Sequence, residues 1–126
     1  MEVIALSGTE NGISLEENLK KALTELLILQ LLSKKESFIG ELTAALNEKS
    51  SGVLSIVFPY GAIYRLEQGG YIEECGKRNA PDGRRRQYVR ITSKGITYLG
   101  QLRKIYTRFS GGVAAVLEEG EEKWNL

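Results

Sequence analysis

The sequence of 126 residues contains no histidine and a single cysteine, Cys75. One cysteine cannot form an internal disulfide, and a Cys/His pattern for structural zinc is excluded without histidine. Phosphate-binding loops, nucleophile elbows and paired catalytic carboxylates are also absent, so we expect no enzyme, no metal and no cofactor. The longest apolar run, 26–32, is interrupted by Gln30 and is far shorter than the roughly 20 residues that cross a bilayer, so we expect no membrane partner.

The length of the chain suits one domain. Residues 1–13 lack the basic start and apolar centre of a secretory signal, so we expect them to be a flexible leader of a cytoplasmic protein. We expect the main folded unit over 14–92 and a long helix over 93–118. The acidic residues 119–126 are expected to form a flexible tail.

Basic charge is concentrated in the middle of the chain, although the formal net charge is only +1. Residues 1–59 contain 5 basic and 8 acidic groups, residues 60–108 contain 11 and 4, and residues 109–126 contain 1 and 4. The net charges of the three segments are therefore −3, +7 and −3. A cationic segment within an otherwise neutral chain favours a surface that binds a polyanion.

Two helices are predicted in the first 50 residues. Ser14 and Glu17 form a capping box ahead of an apolar run, which predicts a helix over 15–33. Ser37 is expected to cap a second helix over 38–48, where apolar residues recur at helical spacing.

A third helix is predicted over 55–68, with Ser55 as its cap and Gly69 and Gly70 at its end. Pro59 lacks the backbone N–H that an interior helical residue donates, so it is tolerated only in the first turn of a helix. A start nearer Pro59 is therefore an alternative for this helix.

A β-hairpin is predicted next, with strands at 71–75 and 86–92 joined by a projecting loop at 76–83. Alternation along the second strand predicts that Val89 faces inward and that Tyr88 faces outward. Three consecutive arginines lie where the loop enters this strand.

The final helix is predicted to begin at Thr92 or Ser93. Its apolar residues recur every three or four positions, which is typical of a seam that packs against another helix. The seam runs through two adjacent glycines, which cost roughly 2 kcal/mol relative to alanine inside a helix, so we expect close packing to compensate. The seam residues are Leu99, Leu102, Tyr106, Phe109, Val113 and Val116.

Three helices, a basic hairpin and a long closing helix are the order of a winged helix-turn-helix, a mainly α fold (α+β) with a β-hairpin wing. The segments "YRLEQGGYI" (64–72), "GRRRQYVRITSKG" (83–95) and "FIGELTAALN" (38–47) carry a resemblance to a known family. They are similar to the helix exit, the wing and the second helix of the PadR-like (phenolic acid decarboxylase repressor-like) transcriptional regulators, of the small type with one C-terminal helix. This chain departs from the family's Gly-Thr-Leu-Tyr-Pro motif, since Pro59 precedes Tyr60.

The resemblance implies a sequence-specific regulator, most simply a repressor, that binds double-stranded operator DNA. An α-helix fits the major groove, and a basic hairpin beside it can reach the flanking backbone or minor groove. Arginine suits both because its planar fork bonds phosphate bidentately and is weakly hydrated. The expected DNA contacts are Ser55, Phe58, Tyr60, Tyr64, Arg65, Lys77, Arg78, Arg84, Arg85 and Arg86.

A homodimer is the expected use of the apolar seam, although the seam could instead fold back on the first helix of its own chain. The expected interface residues are Leu19, Leu23, Leu99, Leu102, Tyr106, Phe109, Val113 and Val116. The resemblance also implies a small aromatic or cationic effector that releases the DNA. Tyr98, Tyr106 and Phe109 could line its pocket, and simple packing is the alternative for these aromatic residues.

Two other interpretations of the arginine run stay open. The arginines could be only the hydrated edge of a hairpin, where charge discourages pairing with other strands. A winged-helix dimer could also use its wing to dock on an acidic surface of a partner protein, without specific DNA binding.

Overall fold

The computed structural model describes residues 9–56 and 59–124, and the side chains of residues 15–56 and 59–118. The described ranges form four helices and a three-stranded antiparallel sheet: α1 Thr9–Leu32, β1 Ser37–Phe38, α2 Ile39–Lys49, α3 Tyr60–Gln68, β2 Ile72–Asn79, β3 Arg85–Ile91 and α4 Ser93–Trp124. The strands lie in the order β1-β3-β2, so β3 is central. No helix in these ranges is long and apolar enough to cross a bilayer.

One apolar core joins the helices to the sheet. Each fully buried aliphatic side chain contributes roughly 1.5–3 kcal/mol of gross hydrophobic free energy. The second half of α1 lies at the centre of this core, as expected of a helical segment that is apolar nearly all round. The buried members are Ile28, Leu29, Leu32, Leu42, Ala62, Ile63, Leu66, Ile72, Val89 and Leu99.

The first helix starts earlier than its capping signal indicates. α1 begins at Thr9, so Ser14 lies within the helix and does not mark its start. Residues 9–13 of the predicted leader are therefore helical. The last helix likewise extends past the predicted end at 118 and reaches Trp124.

The predicted cap of the second helix is wrong. Ser37 and Phe38 form the short strand β1, which pairs with β3 through Ser37 opposite Val89 and Phe38 opposite Tyr88. The Ser37 hydroxyl donates to the Lys35 carbonyl at 3.2 Å, and α2 has no side-chain cap. Ser37 is buried by this pairing, so a long-range strand contact overrides the local capping pattern.

The third helix begins at Tyr60, and the predicted cap Ser55 lies exposed in the loop before it. The Pro59 carbonyl accepts the N–H of Ile63 at 3.0 Å, which starts the helical ladder. Upstream, the Ser50 hydroxyl oxygen accepts the N–H of Leu54 at 2.8 Å and closes a separate turn. The alternative start near Pro59 is therefore confirmed, and the start at 55 is wrong.

The hairpin is longer than predicted and its turn is tighter. β2 continues to Asn79 because a β-bulge between Glu74 and Gly76 lets the pairing resume; Gly76 has φ +119°, which favours glycine. At the tip, the Ala80 N–H donates to the Arg84 carbonyl at 2.7 Å. Only residues 80–84 separate the strands, so the predicted loop over 76–83 is wrong.

Tyr88 lies on the outer face of β3 as predicted, but this face is covered there. Val89 is buried in the core as expected, but Tyr88 is also buried, on the other face of the strand. The Phe38 ring meets it edge to face with centroids 5.5 Å apart, and the Arg78 guanidinium lies 4.2 Å from its ring centroid. The strand β1 therefore gives the sheet a small second layer of aromatic packing.

The start of α4 is fixed to the exit of α3. The Thr92 Oγ1 accepts the N–H of Gly95 at 3.1 Å, which confirms the predicted start, and the Thr92 N–H donates to the Tyr71 carbonyl at 3.0 Å. The Lys94 ammonium donates to the Gly69 carbonyl at 2.7 Å. These bonds tie the first turn of α4 to the segment that directly follows α3.

The close approach at this junction predicts a large effect of one added methyl group. A Cβ at Gly95 would collide with the Tyr71 carbonyl oxygen and lie 2.7 Å from Ile91 Cγ1. We expect Gly95→Ala to lower the free energy of unfolding by roughly 2–3 kcal/mol, measured by urea unfolding. Gly100→Ala is the matched control, because a Cβ there meets no described atom within 4 Å and gains up to about 1 kcal/mol of helix propensity. Equal unfolding midpoints for the two variants would contradict this packing.

Candidate nucleic-acid interface

One face of α3 is exposed beside the wing. Ala62, Ile63 and Leu66 bury the opposite face in the core. Tyr60 and Tyr64, one turn apart, are 59% and 62% exposed. The same exposed face includes Gly61, Arg65 and Gln68. Gln68 was not among the expected contacts, although its spacing of four residues from Tyr64 could have indicated it.

The start of α3 and the wing lie against one groove of about 290 Å³. Tyr60 of α3 and Arg86 of β3 both line it, so the exposed helix face and the basic hairpin belong to one continuous surface. Thr43 and Gln87, which the sequence analysis did not single out, lie in the same groove. We call this combination of the exposed α3 face, the groove and the wing the cationic surface.

Arg86 is held in place within this surface. Its Nη2 donates to Asp82 Oδ2 at 2.9 Å, and its guanidinium lies 5.2 Å from the Phe38 ring centroid. Asp82 Oδ1 also accepts the backbone N–H of Arg84 at 2.9 Å. The bond from Arg86, and then that from Arg84, lower the pKa of Asp82, so the carboxylate orders the tip of the wing.

Arg78 is also held by neighbours. Its Nη2 donates to Glu36 Oε1 at 2.5 Å and approaches Cys75 Sγ at 3.4 Å, while the guanidinium covers the Tyr88 ring. The bond from Arg78 lowers the pKa of Glu36. Arg78 therefore ties the outer part of the wing to the segment just before β1, and a ligand would have to compete with Glu36 for it.

Three predicted wing cations have no ion-pair partner among the described residues. Lys77, Arg84 and Arg85 are exposed at or near the tip of the hairpin. Within the described ranges, none of them lies within ion-pair distance of a carboxylate. These three cations are the ones most available to an anionic ligand.

The remaining predicted DNA contacts are Arg65, Ser55 and Phe58. Arg65 lies on the exposed part of α3, but its Nε donates to Glu25 of α1 at 2.8 Å. Ser55 is exposed in the loop before α3, outside the helix in which it was predicted. Phe58 lies outside the described residues, so its predicted contact stays a prediction.

A second cavity, of about 290 Å³, lies between α1 and α4. Tyr98, Tyr106 and Phe109, the three residues predicted for an effector pocket, all line it, together with Glu25. Tyr98 stacks on Tyr71 with ring centroids 4.1 Å apart. Burial, and then the nearby Glu25 carboxylate, raise the pKa of the Tyr98 phenol.

The predicted dimer seam is divided along α4. Leu99 is only 6% exposed and belongs to the core of its own chain, which leaves little of its side chain for the predicted dimer contact. Leu102 packs partly against the same core, which matches the alternative that the seam folds back on its own chain.

Further along α4, the seam is left uncovered by the residues whose side chains the structure describes. Phe109 and Val116 are 72% and 71% exposed, and Tyr106, Val113 and Leu117 are also exposed. Together with Leu19 and Leu23 of α1, several of them line an apolar groove of about 510 Å³. We call the exposed residues Tyr106, Phe109, Val113, Val116 and Leu117 the apolar stripe.

No family model and no curated protein sequence matches the chain. Solved structures do match it. A transcriptional regulator from Clostridium thermocellum is 26% identical with a TM-score of 0.68, over 76% of this chain and 94% of its own. A PadR-like transcriptional regulator from Bacillus cereus is 25% identical with a TM-score of 0.68, over 79% and 96%.

A third structure covers more of the chain. A PadR family transcriptional regulator from Eggerthella lenta has a TM-score of 0.71 over 91% of this chain and 97% of its own, at 21% identity, which bears on the fold alone. The predicted fold, a mainly α (α+β) winged helix with a β-hairpin wing and a long C-terminal helix, is confirmed by these similarities, and the structure adds β1 as a third strand of the sheet.

Proposed function

We propose that this chain, whose fold is that of a PadR-like winged helix, is a transcriptional regulator that binds double-stranded DNA as a homodimer. The observation that carries this proposal is the groove lined by both Tyr60 and Arg86, because it sets the exposed face of α3 beside the basic wing. The similar solved structures are described as transcriptional regulators, which supports a regulatory role over a catalytic one.

In this proposal α3 enters the major groove. The hydroxyls of Tyr60 and Tyr64 donate hydrogen bonds to phosphates at the edges of the groove. Gln68 lies on the same face and can bond adenine through its amide, which makes it a candidate for reading bases. The specificity of the protein then depends on a short stretch of α3, whose start at Tyr60 sets how far the helix projects.

The wing supplies most of the attraction to the DNA backbone. Lys77, Arg84 and Arg85 reach phosphates or the minor groove beside α3, and Arg86 contributes from its fixed position on Phe38. These contacts are largely independent of base sequence and release counterions. They determine affinity and salt dependence, while α3 determines the preferred sequence.

The apolar stripe joins two copies, and each copy provides one α3. Two recognition helices on the same side of a duplex would lie about 34–36 Å apart, or a multiple of that distance. We propose repression as the regulatory outcome, with a small aromatic or cationic effector in the cavity between α1 and α4. Tyr98, Tyr106 and Phe109 would contact that effector.

Selection of bound duplexes from a random pool at low salt tests this function. We expect enrichment of a two-part site, because each half of the dimer reads one half-site. If the dimer neutralises about 6–10 phosphates, affinity for the enriched duplex should fall on the order of 10³- to 10⁵-fold between 50 and 200 mM salt. Failure to enrich any sequence would contradict DNA recognition and favour the docking of an acidic partner protein.

A further inference from the structure

The Glu25 side chain on α1 lies next to both α3 and α4. Its carboxylate is on α1, accepts the Arg65 Nε–H of α3 at 2.8 Å, and lies beside the Tyr98 phenol of α4. The Glu25 side chain is 24% exposed and that of Arg65 is 60% exposed. The most exposed partner of this carboxylate is therefore a cation on the helix face that the proposed function sets against DNA.

The geometry of the ion pair determines what Arg65 can still bind. The guanidinium forms its strongest contacts with phosphate as a fork, through two parallel N–H donors. Glu25 occupies the Nε edge of that fork. The Nη1 atom lies 3.5 Å from the point where Gly61 would carry a Cβ, so the guanidinium extends across the exposed surface of α3.

A phosphate that binds the Nε edge of Arg65 needs the donor that Glu25 already occupies. Both are anions, and a phosphate can use the Nε edge only by displacing Glu25. While Glu25 remains in place, its charge also lies close to the DNA backbone and repels it. The contact thus lowers the number of phosphates that each protomer neutralises.

We propose that Glu25 withholds Arg65 from DNA, so that the carboxylate and a backbone phosphate compete for one guanidinium on the recognition helix. This inference rests on the proposed DNA-binding function and adds a residue of α1 that lies outside the contact surface. Glu25 is a positioning residue that acts through Arg65. Its effect is to keep the affinity for DNA below the value that the cations of the chain could reach.

The test compares Glu25→Gln with the wild-type protein on the duplex that the wild-type protein enriches. Glutamine keeps the size of the side chain and removes its charge, and loss of an exposed pair of this kind changes stability little. We expect affinity to rise about three- to tenfold at 150 mM salt. The slope of log affinity against log salt should steepen by about 0.9 for each half-site, because one more phosphate is neutralised.

Two further variants separate this role from a general charge effect. The double variant Glu25→Gln/Arg65→Ala should return to within about twofold of wild-type affinity and lose the added salt slope. Glu17→Gln is the matched control, since it removes the same charge and also breaks an ion pair, with Lys20 of the same helix. It should leave the salt slope unchanged. Thermal unfolding and sedimentation establish that every variant keeps its fold and its oligomeric state.

The outcomes distinguish this inference from the function on which it rests. An unchanged affinity and salt slope in Glu25→Gln, with normal binding by the wild-type protein, would refute the competition and leave DNA binding intact. A loss of affinity in Glu25→Gln would also refute it, because Glu25 would then orient Arg65 productively. A wild-type protein that binds no duplex would overturn both proposals.

Discussion

Replacing Arg84, Arg85 and Arg86 together with alanine is expected to weaken duplex binding on the order of 100-fold at 150 mM salt. The physical reason is that each protomer would neutralise up to three fewer phosphates, and two of the three guanidiniums are engaged by no described carboxylate. The salt dependence should flatten in proportion to the number of phosphates that are no longer neutralised. Equilibrium binding to the enriched duplex across a salt series measures both effects.

The fold should survive this triple substitution, because none of the three side chains belongs to the apolar core. Arg103→Ala/Lys104→Ala is the control, since it removes two exposed cations of α4 outside the cationic surface. It should retain most of the affinity. Wild-type DNA binding by the triple variant would show that the wing is only a hydrated hairpin edge.

Introducing aspartate at Phe109 and Val113 is expected to produce a monomer that does not bind operator DNA at nanomolar protein concentration. Both side chains are exposed in the chain and lie in the middle of the apolar stripe. In a dimer of two stripes, the double variant would bury four unpaired carboxylates and lose the hydrophobic gain of four side chains. We expect the dimer dissociation constant to rise by more than about 10³-fold, which corresponds to about 4 kcal/mol.

Sedimentation equilibrium measures the oligomeric state, and circular dichroism verifies that the winged-helix domain remains folded. Thr107→Asp provides the control because it adds a charge to the same helix at a position outside the apolar stripe. It should stay dimeric and bind DNA. A double variant that remains dimeric would assign the interface to another surface, whereas a monomer with full operator affinity would contradict the two-part site.

The features of the fold that sequence could predict are those carried by strong local patterns. The period of apolar residues along α4 predicted one helix through Gly111 and Gly112, and the helix is continuous there. Pro59 correctly indicated a later start for α3. The absence of its backbone N–H is a local property that the sequence shows directly. The arginine run predicted a basic hairpin next to α3.

The failures arise where a distant segment decides the outcome. Ser37 has the chemistry of a helix cap, yet pairing with Val89, more than 50 residues away, converts it into a strand residue. The bulge before Gly76 lets β2 continue its pairing with β3 in a shifted register, and the alternation of apolar and polar residues does not reveal that shift. A two-residue strand and a single inserted residue are both too short to leave a periodic signal.

The same reason limits what sequence could say about the cationic surface. The residue types were informative, since Tyr60 and Arg86 line one groove and Arg84 and Arg85 lie at the hairpin tip. The sequence could not show which arginines are available to a ligand. Arg65 and Arg78 are engaged by Glu25 and Glu36, each about 40 residues distant in the chain. Ion pairs between elements follow from the packing of those elements, which charge counts cannot provide.

The bonds that fix the first turn of α4 to Gly69 and Tyr71 have a mechanical consequence. α4 contains 32 residues, so at 1.5 Å per residue it is about 48 Å long. Because its near end is bonded to the exit of α3, a rigid tilt of α4 would be transmitted to that exit. If it pivots as a rigid rod, a sideways shift of about 5 Å at the far end would tilt its base, and α3 with it, by about 6°.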